Sequence, residues 1–185
     1  MIRGGTSLWD IGRTSGQGEG ANAARAAKPA LSPLRASLYI KAMLGNLYSS
    51  DVLTLASTLE NGRLGAPDGT ARKVSKLCGS EVEIDVAMDG ERVADAALRI
   101  EACALGQASA ALLLEQIRGA TLAELTDARD GLRAMLKEDA EPPAGRFERL
   151  ALLTGVRAYP ARHQSVMLAW DAAVDAVAAA RGSGE

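Results

Sequence analysis

Aromatic side chains make up only 3% of this chain, cysteine occurs twice, and no apolar run is long enough to span a bilayer. Each scarcity excludes something. With so few aromatics there are no stacking platforms for single-stranded nucleic acid. A net charge of -2 supplies no basic face for a phosphate backbone. Without a span of about 20 apolar residues there is no transmembrane helix. Nor is there a glycine-rich phosphate loop or a nucleophile–His–Asp arrangement, so no organic cofactor pocket or hydrolytic triad is indicated. No apolar h-region marks a secretory signal, and two cysteines are too few for a disulfide framework. A reducing, cytoplasmic setting with free thiols is therefore expected.

What remains is a 185-residue chain, 48% hydrophobic, with enough apolar surface for one core. Residues 1–37 are rich in Gly, Ala and Arg, carry five basic against two acidic side chains, and show no period. Such a segment buries too little surface to offset its ordering entropy, and it reads as a disordered extension. Residues 38–181 form the expected domain and 182–185 a flexible tail. The part after residue 37 holds sixteen basic and twenty-one acidic residues and is acidic overall.

Ser49-Ser50 is a helix N-cap signal ahead of Val52, Leu55, Ala56 and Leu59, with Asn61-Gly62 as the stop and loop through Gly69. From Ser80 the period changes to two. Val82, Ile84, Val86 and Met88 alternate with acids, and Ala96, Leu98, Ile100 and Ala102 repeat the pattern after Asp89-Gly90. A three-residue turn, Asp89-Gly90-Glu91, would pair Ile84 with Ala96 and Val82 with Leu98 on one apolar face. In that register Cys78 lies opposite Ala102, beside Cys103, so both thiols meet at the open end of the hairpin. Beyond Cys103 come an Ala/Leu-rich helix closing at Gly119, a Thr121–Glu124 capping box, and a break at Pro142-Pro143. A short turn over Leu150–Leu153 follows, then a last helix from Pro160 with Met167, Trp170, Val174 and Val177 on one side. Strands early and helices late indicate an α+β domain: a small antiparallel sheet, the hairpin plus a further strand, packed against several α-helices.

Three segments carry a resemblance to a known family. They are Cys78-Gly79-Ser80, the run Glu101-Ala102-Cys103-Ala104-Leu105-Gly106-Gln107-Ala108-Ser109-Ala110, and Pro160-Ala161-Arg162-His163-Gln164-Ser165-Val166-Met167. Together they resemble the IscU/NifU N-terminal-type iron–sulfur cluster assembly scaffolds, with the longer spacer of the SufU-like branch, over about residues 47–177. The resemblance implies a scaffold or carrier rather than an enzyme. It would hold iron or a transient iron–sulfur cluster through Cys78 and Cys103, take sulfur from a cysteine desulfurase and pass the product to apo iron–sulfur client proteins. Thiolates suit that task because they are soft ligands for iron and sulfide.

Two positions depart from the family pattern. Ser80 stands where an aspartate is usual, and Ser165 where the third cysteine is usual. A hydroxyl stays protonated near neutral pH and is a poor ligand for iron or zinc. His163, the lone histidine, is the remaining candidate donor, although a surface or cap role is the commoner one for such a residue. Zinc would need four donors, or three and water, which one chain does not offer unless His163, a carboxylate or the second subunit of a homodimer joins. Two other readings follow: a SufU-like sulfur acceptor carrying persulfide, and a degenerate, metal-free interaction module. If residues 1–37 are dispensable, a chain starting at Met43 should keep the full chain's thermal midpoint within a few degrees. Loss of a cooperative transition at that temperature would show that the extension is part of the fold.

Overall fold

The computed structural model describes residues 47–76 and 79–182, so the expectation for 1–37 lies outside the described residues, as does that for the tail 182–185 beyond Gly182, which itself ends the last helix. Ser49 caps α1 (Ser50–Thr58) through its hydroxyl, which accepts the Val52 N–H at 3.3 Å. Three antiparallel strands follow, β1 (Gly69–Val74), β2 (Glu81–Asp89) and β3 (Arg92–Glu101), in the order β1-β2-β3. Then come α2 (Ala104–Gln116), α3 (Leu122–Lys137), a 3-10 segment (Gly145–Ala158) and α4 (Pro160–Gly182). The α+β architecture agrees with the sequence reading. The Thr121–Glu124 capping box is present with both of its bonds, and Pro160 opens the last helix. Among the described residues no helix is long and apolar enough to cross a membrane.

The hairpin register differs from the expected one. Ile84 pairs with Leu98 and Val82 with Ile100, two residues further along β3 than Ala96 and Leu98. Asp89 pairs with Arg92 across a two-residue turn, and an irregularity at Ala87/Met88 leaves Ala94 as an extra residue. A two-residue turn alone would put Arg99 on the apolar face. The bulge restores the parity, so that Val82, Ile84, Val86, Leu98 and Ile100 all point into the core. Burial of one face therefore decided the side of each residue, and the bulge decided which residues meet.

Two segments read as loop do more. The helix ends at Thr58 rather than at Asn61-Gly62. Asn61 Oδ1 accepts the Ile100 N–H at 2.9 Å, and the Gly62 N–H donates to the Leu98 carbonyl at 2.8 Å, which covers the outer edge of β3. The further strand, β1, begins at Gly69 and lacks a period-two apolar pattern. It exists because it is held from both sides, by β2 and by α4. A Cβ on Gly69 would fall 2.1 Å from the Ala176 carbonyl oxygen, so only glycine lets the strand lie this close to α4.

Helix α2 is buried almost all round: eight of its thirteen residues are inaccessible, as expected for a central helix. Trp170 on α4 is fully buried, meets Phe147 edge-on at 5.2 Å and donates its indole N–H to Ser109 Oγ at 3.1 Å. On the sheet's outer face Asp85 is also fully buried. It accepts from Thr70 Oγ1 at 2.7 Å, from the Leu64 N–H at 3.2 Å and from the Arg63 guanidinium, tying the 60–68 loop to the sheet. Desolvation pushes its carboxyl pKa up, but the bonds from Thr70, Arg63 and Leu64 outweigh it, and the net direction is down. A lowered folded-state pKa means stability that is present above the ordinary carboxylate value, about 3.9, and is lost as pH falls through the lower folded value. Asp85→Asn should cost about 1–2 kcal/mol at pH 7 in denaturant unfolding. The gap to the natural chain should narrow below about pH 4, and a gap independent of pH would show that the charge is not what matters.

Candidate functional site

The site lies where β3 passes into α2. After Glu101 the chain leaves the sheet, and Cys103 takes the N-cap position of α2 with φ -64 and ψ 164. Its side chain makes no capping hydrogen bond, which leaves the thiol available to its neighbours. Ser165, in the second turn of α4, places Oγ 3.4 Å from Cys103 Sγ. Ser80, immediately before β2, places Oγ 3.5 Å from Ser165 Oγ. Three segments far apart in sequence therefore converge at one end of the domain, as the three quoted motifs required. Ser165 is 1% exposed and Ser80 6%, whereas Cys103 is half-buried, so Cys103 is the most accessible residue of this trio. Cys78, the other expected thiol, lies outside the described residues.

The turn leading to Ser80 is tied to α4. The Ser75 N–H donates to the Ser80 carbonyl at 2.7 Å, and Ser75 Oγ donates to Gln164 Oε1 at 2.9 Å. Neither Ser75 nor Gln164 stood out in the sequence, because a hydroxyl and an amide paired across 89 positions leave no local signal. Gly106 is the other residue the sequence reading passed over. It does carry a signal: glycine in an Ala/Leu-rich helix costs about 1 kcal/mol relative to alanine, which asks for a packing reason. The reason is Ser165, since a Cβ on Gly106 would sit 2.6 Å from Ser165 Oγ.

His163 does not join the cluster. Two residues before Ser165 on one helix, it points about 200° away. Its Nε2 lies 3.1 Å from the Val156 carbonyl and 3.3 Å from that of Arg157, at the end of the 3-10 segment. The histidine lies against the carbonyls that end that segment, one of which, that of Val156, also accepts the Tyr159 N–H at 2.8 Å, and Ser165 is the α4 residue in contact with Cys103.

Chemically the described donors are one soft thiol and two hydroxyls. Among the described residues no group of three or more His, Cys, Asp or Glu side chains could hold a metal ion. The trio by itself falls short of the four donors a closed tetrahedral centre takes, and any cargo bound here keeps coordination positions open to donors from elsewhere.

Comparisons with known proteins bear on the fold. Residues 47–181 match the family model described as the NifU-like N terminal domain. A curated relative, the iron–sulfur cluster assembly scaffold protein IscU of Thermotoga maritima, is 28% identical over 127 residues, covering 67% of this chain and 87% of that protein. The crystal structure of a nitrogen-fixing NifU-like protein (N-terminal) from Brucella abortus superposes with a TM-score of 0.73 at 40% identity, covering 76% of this chain and 98% of the other. A putative iron–sulfur cluster assembly scaffold protein for the SUF system from Fervidobacterium islandicum, 22% identical with a TM-score of 0.67, covers 72% of this chain and 98% of its own; it shares the fold.

The convergence of Ser80, Ser165 and Cys103 makes a restoration experiment specific. Ser80→Asp with Ser165→Cys adds a carboxylate and a thiolate beside Cys103. Zinc affinity, measured by competition with a chromophoric chelator, should rise at least about tenfold, some 1.4 kcal/mol. His163→Ala should leave it unchanged in either background. A doubly substituted chain that binds zinc no better than the natural one would contradict the arrangement.

Proposed function

Because this chain belongs to the family of NifU-like N-terminal domains, we propose that it is an iron–sulfur cluster assembly scaffold or carrier whose cargo rests on Cys103 and Cys78. In this reading a cysteine desulfurase delivers the sulfur and apo iron–sulfur proteins take the finished cluster. The chain turns over no substrate of its own. The observation that carries the proposal is the approach of Cys103 Sγ to Ser165 Oγ at 3.4 Å, beside Ser80, at the junction of β3 and α2. These are the segments in which a scaffold of this family would gather its ligands. Thiolates hold iron and sulfide firmly, whereas the two hydroxyls do not replace the missing anionic donors. The cargo then remains partly coordinated from outside the chain, which suits transfer to a client better than storage.

A second reading has an observation of its own. The half-buried Cys103, with Ser165 Oγ 3.4 Å from its sulfur, also suits a carrier of sulfur alone. The Cys103 thiolate would attack the outer sulfur of the desulfurase's cysteine persulfide, forming the new S–S bond and releasing the desulfurase thiolate. No net oxidation is required. Anaerobic reconstitution with ferrous iron and sulfide separates the two readings. The scaffold reading expects iron and sulfide bound in equal amounts, and Cys103→Ala should reduce both at least about tenfold. Iron-free protein that gains one sulfur atom on Cys103 after incubation with desulfurase and cysteine would favour the second reading. Protein that takes up neither would sink both and leave a metal-free interaction module.

A further inference from the structure

Ser165 occupies a ligand position without a ligand's chemistry, and its surroundings suit a different task. We propose that Ser165 is a positioning residue that donates a hydrogen bond to the sulfur of Cys103, and that Gly106 holds it there. This builds on the reading above in taking Cys103 as the cargo-bearing residue.

The contact of 3.4 Å between Ser165 Oγ and Cys103 Sγ is an ordinary separation for a hydroxyl on a large sulfur atom. While Cys103 is a neutral thiol, either atom can be the donor. Once the sulfur is a thiolate, is bound to iron or carries an anionic persulfide, it has no proton left to give. The direction is then determined, with Ser165 donating and the sulfur accepting, and a bond to an anion is stronger than one between neutral groups. Ser80 Oγ lies 3.5 Å from Ser165 Oγ, at the outer limit for an O–H···O bond, so its contact with Ser165 is weak. At 1% exposure Ser165 has no water to take over if its hydroxyl is removed.

Gly106 makes the contact possible. A methyl group there would lie 2.6 Å from Ser165 Oγ, 2.8 Å from Ala102 Cβ and 3.1 Å from the Ser165 carbonyl oxygen. The two helices cannot easily part to admit it. Ser109 Oγ donates to the Val166 carbonyl at 2.7 Å and receives the Trp170 indole N–H, which locks α4 against α2 one turn further on. The hydroxyl is the freest group in the clash and would swing away from the sulfur.

The test uses full-length protein carrying Cys78→Ala, so that Cys103 is the only thiol. The rate of alkylation by iodoacetamide is measured at pH 7 in this background and with Ser165→Ala, Ser165→Thr or Gly106→Ala added. Loss of the donor should slow alkylation about fivefold in Ser165→Ala and Gly106→Ala, the size expected of one hydrogen bond, while Ser165→Thr, which keeps a hydroxyl, should stay within about twofold of the parent. An unchanged rate in Ser165→Ala, or an equal loss in Ser165→Thr, would overturn the proposal, the latter by pointing to packing rather than to the bond. Gly106→Ala is read only if its circular dichroism matches the parent; Ser165→Ala decides the matter alone otherwise. The alkylation measurement involves no iron, so a chain that loads none would sink the scaffold reading and leave this inference to its own result.

Discussion

The close approach of α2 and α4 is the contact on which the rest of the structure depends. Gly106, Ala108, Ser109 and Ala110 are small and buried, so the backbone of α4 can come near that of α2 over this stretch. Ser109 then converts proximity into a fixed register by bonding both to the Val166 carbonyl and to Trp170. Trp170 in turn fills the space against Phe147, which anchors the 3-10 segment to the same core. The sheet follows, since α4 also covers β1 and β2, and Gly69 is needed for β1 to lie against it. With larger residues at these positions α4 would stand off, Ser165 would leave Cys103 and β1 would lose half of its support.

The same contact sets the chemistry of the site. A scaffold must hold iron and sulfide firmly enough to assemble them and loosely enough to release them, and the choice of donors sets that balance. Here the thiol of Cys103 is half-buried at a helix start, while the hydroxyls of Ser165 and Ser80 sit behind it, shielded from water. Hydroxyls in that place offer hydrogen bonds rather than coordination. Among the described residues one sulfur and two hydroxyls meet here, which differs from a closed cage of equivalent ligands.

Much of the site was legible in the sequence because its members sit at element boundaries, which leave local marks. Cys103 closes a period-two run and opens an Ala-rich one, and Ser165 follows the proline that starts the last helix. His163 was a candidate by residue type and by lying near Ser165 in sequence; the 3.6-residue period already placed it away from Ser165, and its contacts with the Val156 and Arg157 carbonyls account for it. Gly106 was visible as an odd choice inside a helix, but its partner is 59 positions away and no local pattern names it. Ser75 and Gln164 were not visible at all, since each reads alone as a solvated polar residue.

The sequence by itself determined that Val82, Ile84, Val86, Leu98 and Ile100 face the core, where α1 and α4 begin, how α3 is capped, and that the chain is an α+β domain with a thiol at a strand-to-helix junction. These features follow from periodicity and from bonds that span three or four residues. Tertiary structure decided the rest. A bulge in the hairpin set Ile84 against Leu98 rather than Ala96, because parity restricts the face while leaving even shifts open. Residues 69–74 became a strand through β2 on one side and α4 on the other. The 3.4 Å between Cys103 and Ser165 came from two helices joined across 62 positions. Contacts of that range are chosen by how the whole core packs, and no short stretch of the chain carries them.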